Sequence, residues 1–340
     1  MEKIDIHAHI LPEILPSFKE KFGYSGWVQL EHKIDSNGKK ISKLIYDDGS
    51  FMRDVDERLY CVQTRLMDMQ KNGVSKQIIS TVPVTFNYWA KGEDNEFVSR
   101  YLNDNITHVV RQCPDKLIGL GTLPMQNVEL AIKEMIRCKS ELGMKGLIIG
   151  THVNDKSLDD PIFEPFWKAA TDYNMPLFIH PWNMVKPKRW DKFFLPYIIG
   201  MTAETSTAAL QLAFSGVLER HPRLKIILAH GAGTLPYINQ RADQAFKFYP
   251  ENMRDDVQTP THYLKKNPNI CADTLLHDPN ALELALNFFG CDSLLLGSDF
   301  PFKLGESSPG SMIDNSSDRF SMEMKQKMFH LNAVRIFNLD

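Results

Sequence analysis

Two imidazoles stand two positions apart near the amino terminus, in Asp5-Ile6-His7-Ala8-His9. The segment from Lys3 to Ile10 reads as a β-strand, and strand residues at i and i+2 share a face, so His7 and His9 can reach one metal ion together. Three more apolar runs end on ligand-type or catalytic residues: Leu177-Phe178-Ile179-His180, Ile226-Ile227-Leu228-Ala229-His230 and Leu295-Leu296-Gly297-Ser298-Asp299. Imidazoles and a carboxylate suit Zn²⁺, and a catalytic zinc keeps an open position where bound water is acidified towards neutral pH. Taken singly, each residue has a plainer explanation. An HxH pair arises often by chance, a histidine in an apolar strand is commonly a hydrogen-bonded core residue, and an aspartate after a strand can cap the next helix. The conjunction is what counts: four strand ends carry these residue types, and one fold would bring them to one place.

The elements that must position them alternate. Apolar, β-rich runs recur from Lys3 to Ile10, Lys76 to Thr81, Leu117 to Leu123, Gly146 to Gly150, Pro176 to His180, Lys225 to His230, Asn269 to Thr274 and Leu294 to Asp299. Amphipathic stretches lie between them, such as Val128 to Leu142, where Leu130, Ile132, Met135, Ile136 and Leu142 sit near helical spacing. Strand–helix alternation predicts a parallel α/β sheet, and eight units predict a closed (β/α)₈ TIM barrel spanning residues 1–340 as a single domain. Strand C-termini of such a barrel meet at one mouth, where active sites lie. Residues 11–55 form a long insertion after the first strand, with a charged middle from Asp35 to Lys43; it predicts a small β-rich lobe or lid, with a solvated loop as the alternative. A second irregular stretch, Trp182 to Pro196, is basic and aromatic.

Composition narrows the class. A hydrophobic fraction of 43% and a charged fraction of 24% suit a soluble globular enzyme, and a net charge of -3 argues against a nucleic-acid binder. Five cysteines without a CxxC pair argue against a disulfide framework or a structural zinc cluster. The chain enters a strand at once, with no signal-peptide pattern and no apolar run of about 18 residues, so a cytoplasmic protein without a membrane partner is expected.

Roles at the mouth remain divided on the residues alone. His230 opens a glycine-bearing turn, His230-Gly231-Ala232-Gly233, and acts there as a general acid/base, as a fourth histidine ligand, or as a residue that only orients others. Asp299 binds the metal, takes a proton, or does both in different steps.

The set of HxH on strand one, His on strands five and six and Asp on strand eight resembles the amidohydrolase superfamily. Several of its members carry a carboxylated lysine at the end of strand four, bridging two metals; here Gly146-Leu147-Ile148-Ile149-Gly150 ends without one, which implies a single metal. Longer blocks sharpen the likeness. Phe22-Gly23-Tyr24-Ser25-Gly26-Trp27-Val28-Gln29-Leu30, Gly119 to Gln126, Gly150-Thr151-His152-Val153, His180-Pro181-Trp182, Ala203-Glu204-Thr205 and Asp299-Phe300-Pro301-Phe302-Lys303-Leu304-Gly305-Glu306 together resemble the aminocarboxymuconate semialdehyde decarboxylases. The resemblance implies non-oxidative loss of CO₂ from 2-amino-3-carboxymuconate 6-semialdehyde, in tryptophan breakdown by the kynurenine route. It also implies one Zn²⁺ held by His7, His9, His180 and Asp299, with His230 as the acid/base. Arg53 matches a substrate-binding arginine, and Arg241 matches a second one that reaches across a homodimer to the neighbouring subunit. Guanidinium groups suit both places because they pair with carboxylates bidentately. Trp182 either faces the substrate's conjugated chain or packs at the barrel rim.

The sequence departs from the family pattern at Asn183, Phe194, Tyr197, Thr202 and Ala232, none of them a ligand position. Rival readings are a related hydroxybenzoate decarboxylase, a lactone or amide hydrolase, and a catalytically dead barrel kept as a binding module.

Overall fold

The computed structural model describes residues 1–34, 36, 40–254 and 256–339. Eight strands pair in chain order: β1 (Ile4–Ile10), β2 (Lys76–Thr81), β3 (Leu117–Thr122), β4 (Gly146–Gly150), β5 (Leu177–His180), β6 (Ile226–Leu228), β7 (Ile270–Asp273) and β8 (Leu294–Leu295). Every neighbouring pair is parallel. The sheet closes on itself where Ile6 N donates to Leu296 O at 2.8 Å, His9 N to Phe300 O at 2.7 Å and Phe300 N to His7 O at 3.2 Å. The architecture is the expected (β/α)₈ barrel. Its strands read as nearly continuous apolar runs because helices cover the outside while side chains fill the inside; all seven residues of β1 are buried.

The last strand is shorter than the run Leu294 to Asp299 suggested. Side chains take over from the ladder there: Gly297 N donates to Thr274 Oγ1 at 3.4 Å, and Ser298 N donates to Asp5 Oδ1 at 3.0 Å. Asp299 therefore leaves the sheet in a left-handed conformation, φ 57°, rather than continuing as a strand.

The helices bury the faces that their spacing dictates, with one exception. In Gly92–Gln112 the buried residues Val98, Leu102, Ile106 and Val109 recur at helical intervals. In Val128–Ser140, capped by Asn127 Oδ1 accepting from Leu130 N at 3.2 Å, the buried face is Ala131, Glu134, Met135, Arg137 and Cys138. Leu130, Ile132 and Ile136 are only partly covered. Glu134 is tolerated inside because it is fully paired, accepting from Arg137 Nε at 2.8 Å and Asn103 Nδ2 at 2.7 Å.

The insertion is a lobe. Strands Val28–Ile34, Lys40–Tyr46 and Phe51–Val55 form an antiparallel sheet, preceded by a short helix, Phe18–Phe22. Of its charged middle, Asp35, Asn37, Gly38 and Lys39 lie outside the described residues. Two small apolar clusters tie it to the barrel. Leu11, Val28, Leu44, Leu59, Tyr60, Val82 and Val84 form one, with Trp182 and Phe302 packed against it. Phe18, Trp27, Ala90, Val98 and Leu102 form the other. The lobe thus stands as a wall on the mouth of the barrel.

Candidate active site

At the carboxyl ends of β1, β5 and β8, one ligand atom each from His7, His9, His180 and Asp299 lies within 4.8 Å of the others. The orientation of the rings follows from their outer nitrogens. His7 Nδ1 donates to Asp273 Oδ2 at 2.8 Å, His9 Nδ1 to Thr81 O at 2.9 Å and His180 Nδ1 to Pro181 O at 3.0 Å. A carboxylate and two carbonyls only accept, so each Nδ1 carries the proton and each Nε2 turns a lone pair to the centre. All three Nε2 atoms are buried and none has a hydrogen-bond partner. Asp299 Oδ1 stands 3.1 Å from His9 Nε2 and 3.4 Å from His7 Nε2. Three buried lone pairs beside a carboxylate are costly unless a cation sits among them. The donor set fits a divalent ion of borderline character.

Charge states agree with that arrangement. Burial pushes the His180 imidazole well below its ordinary range, so it is neutral, the form that ligates metals. Burial works against ionised Asp299, yet His7 and His9 beside it hold its carboxyl at about 2.

His230 lies beside this quartet and outside it. Its ring is 5.0 Å from that of His180 and 5.4 Å from that of His7. Its backbone is left-handed, φ 57°, as is that of Gly231, Ala232 and Gly233. A Cβ on Gly233 would fall 1.9 Å from Thr202 O, so the turn needs glycine there. What holds so strained a turn is Asp273: its Oδ2 accepts from His230 N at 2.9 Å and its Oδ1 from Gly231 N at 2.7 Å. Burial, with His7 nearby, lowers the His230 imidazole to about 4, and its buried Nδ1 has no partner.

Asp273 is therefore a site residue that the sequence reading passed over. It orients His7 and His230 at once. The signal was present, since β7 ends on Ile270-Cys271-Ala272-Asp273 just as the neighbouring segment ends on Asp299. Asp5 was quoted without a role and has a structural one. It accepts from His7 N, Ser298 N, Ser298 Oγ and Gln77 Nε2, which ties β1 to the segment bearing Asp299.

A cavity of about 730 Å³ opens over the quartet, lined by His9, His180 and Asp299 on the barrel side and by Arg53, Trp182, Phe194 and Tyr197 towards the rim. That is within the size range of small-molecule sites. The Arg53 guanidinium lies 4.9 Å from the centre of the Phe302 ring, which is itself 5.5 Å from the His9 ring. Trp182 also borders a smaller cavity of about 280 Å³, which it shares with Trp89, His152 and Asn183. Arg241 is elsewhere in this chain: it is exposed on helix Leu235–Phe248 and does not line the cavity.

The end of β4 is bare. A Cβ on Gly150 would meet both His152 O and Tyr88 Cε2 at 3.0 Å, and Gly150 N donates to Tyr88 Oη at 3.0 Å. No bridging lysine stands there.

The sequence profile of the amidohydrolase family matches residues 4–339. The chain belongs to that family. Among curated proteins, this amidohydrolase is similar to 2-amino-3-carboxymuconate-6-semialdehyde decarboxylase of Dictyostelium discoideum, 40% identical over 99% of this chain and 92% of that one. The decarboxylase of the same name from Caenorhabditis elegans is 34% identical over 99% of this chain and 94% of its own. Among solved structures, this amidohydrolase resembles 5-carboxyvanillate decarboxylase of Novosphingobium aromaticivorans, complexed with manganese and 4-hydroxy-3-methoxy-5-nitrobenzoic acid. Identity to that structure is 25% and the TM-score 0.73, over 83% of this chain and 82% of the other.

Proposed function

We propose that this amidohydrolase is a carboxy-lyase that removes CO₂ from 2-amino-3-carboxymuconate 6-semialdehyde, using one zinc ion per chain. The observation that carries the reading is the convergence of three buried, unpartnered Nε2 atoms and one ionised carboxylate beneath a cavity walled by Arg53. The full-length similarity to decarboxylases of that name supports it, and the reaction proposed belongs to tryptophan breakdown by the kynurenine route.

His7, His9, His180 and Asp299 are the residues to hold the metal. When bound, the ion supplies Lewis-acid chemistry, including a lowered pKa for water. The protein's own groups do the rest. Arg53 pairs with a substrate carboxylate, and Trp182 and Phe302 wall the conjugated chain. His230 moves the proton: it is neutral across the physiological range, so it is ready to accept one, and its unpartnered Nδ1 is the buried atom where that proton can rest. Loss of CO₂ leaves an electron pair on carbon that the conjugated chain disperses until a proton arrives there.

The assembly proposed is a homodimer. Phe193, Ile198 and Tyr237 are 82%, 54% and 81% exposed, on the stretch after β5 and on helix Leu235–Phe248. Ser206 Oγ, on the helix Met201–Phe214 that follows the stretch, accepts from Thr234 N at 2.8 Å. Covering these side chains with a second copy would put Arg241, one helical turn from Tyr237, at the interface. All five cysteines are free, in keeping with a cytoplasmic location, and no helix among the described residues is long and apolar enough to cross a membrane.

The test is a decarboxylation assay with metal content measured on the same sample. Enzymatically generated aminocarboxymuconate semialdehyde should lose its ultraviolet absorbance faster than it cyclises spontaneously, in a sample holding about one zinc per chain. Activity confined to a hydroxybenzoate or a lactone would overturn the substrate.

A further inference from the structure

Three cations line the large cavity: Arg53, Arg58 and Lys303. They differ in what already holds them. Arg58 is engaged on every side, Nε and Nη2 donating to Asp56 and Nη1 to Asp68 at 2.8 Å. Among the described residues, neither Arg53 nor Lys303 makes an ion pair or a hydrogen bond. Both belong to the lining of the cavity. Arg53 lies over Phe302, and Lys303 follows Phe302 directly, fixed between the turns Phe302 N to Asp299 O and Gly305 N to Phe302 O, each 2.9 Å. That ring is 5.5 Å from the ring of His9, and Arg53 and Lys303 line the same cavity as His9, His180 and Asp299.

The cavity's anions do not neutralise them. Asp54 is the cross-strand neighbour of Lys43, whereas Arg53 faces the buried Leu44; alternation along the strand puts Asp54 on the face opposite Arg53. Asp56 serves Arg58. Glu306 turns Oε2 to Gly310 N at 2.7 Å.

An unpaired cation in an enzyme cavity recognises an anion, and two of them at different points recognise a dianion with its charges apart. We infer that Lys303 is a second carboxylate anchor, supplied by the same chain as Arg53, and that it selects dicarboxylate over monocarboxylate ligands. A lysine suits the rim, because a compact ammonium with three rotatable donors can follow a carboxylate that enters from solvent. The inference deepens the decarboxylase reading and rests on it for the natural substrate, but the preference itself is measurable without turnover.

The experiment is calorimetric titration of the metal-loaded protein with two six-carbon dienes that differ by one carboxylate, trans,trans-muconate and sorbate. Muconate should bind the unaltered protein about tenfold more tightly than sorbate, the size of one charge-assisted hydrogen bond. Lys303→Gln should bring the two within about twofold by weakening muconate alone, and Lys303→Arg should restore the gap. The inference is overturned if Lys303→Gln keeps the muconate preference or if it weakens both ligands equally. Lys303 is exposed and unpaired, so an unchanged melting temperature is expected for its variants. Turnover of aminocarboxymuconate semialdehyde by the same unaltered sample judges the decarboxylase reading separately, and its absence leaves the muconate-to-sorbate ratio free to judge Lys303.

Discussion

The two sides of the barrel mouth are built differently. On the strand side, His7, His9 and Asp273 are wholly buried, and each histidine's outer nitrogen is fixed to an oxygen. On the side of the lobe and the stretch after β5, Phe194 is 53% exposed, and the Arg53 side chain makes no ion pair or hydrogen bond among the described residues. One side is complete except for a cation. The other is complete except for an anion. A centre that must ligate the same ion at every turnover gains from rings locked in one orientation, whereas a rim that must admit and release substrate keeps its charged groups solvated until the ligand arrives.

Substitutions should separate the two sides. The largest effect belongs to the centre: His180→Ala should lose the metal and lower turnover by at least about a thousandfold, read by metal analysis and steady-state rate. His230→Ala should keep the metal and lower kcat by about 10²–10⁴-fold; loss of metal would instead make His230 a ligand. Asp273→Asn should weaken metal affinity by about 10–100-fold, measured by competition with a chelator, because His7 loses its orienting carboxylate. Arg53→Gln should leave metal affinity unchanged and raise KM by about tenfold. If Arg53→Gln also released the metal, the division between the two sides would be false.

The sequence carried the centre better than the rim. Strand boundaries followed from apolar runs bounded by polar residues, and β2 and β4 end where their runs do. The discrepancies arose where side chains replaced backbone partners. Asp5 takes Ser298 N, so β8 stops short of Asp299. Glu134 is buried on a helix face that spacing assigns to leucine and isoleucine, because Asn103, distant in sequence, completes its pairing. Asp273 escaped notice for the same reason: its importance lies in contacts with His7 and with the His230 turn, 266 and 43 residues away, and no local pattern records them. The free state of Lys303 is still less legible, since it depends on where Asp54, Asp56 and Glu306 point.

The bare end of β4 has a bearing on what this barrel can become. Any residue other than glycine at position 150 begins with a Cβ pressed against the His152 carbonyl and the Tyr88 ring. A lysine installed there starts from a crowded position. It asks the His152 carbonyl and the Tyr88 ring to give by a few tenths of an ångström, and the Tyr88 hydroxyl that must shift accepts from Gly150 N. For an evolving lineage or a protein engineer, a second metal bridged at this strand end would first have to be accommodated by the His152 carbonyl and the Tyr88 ring.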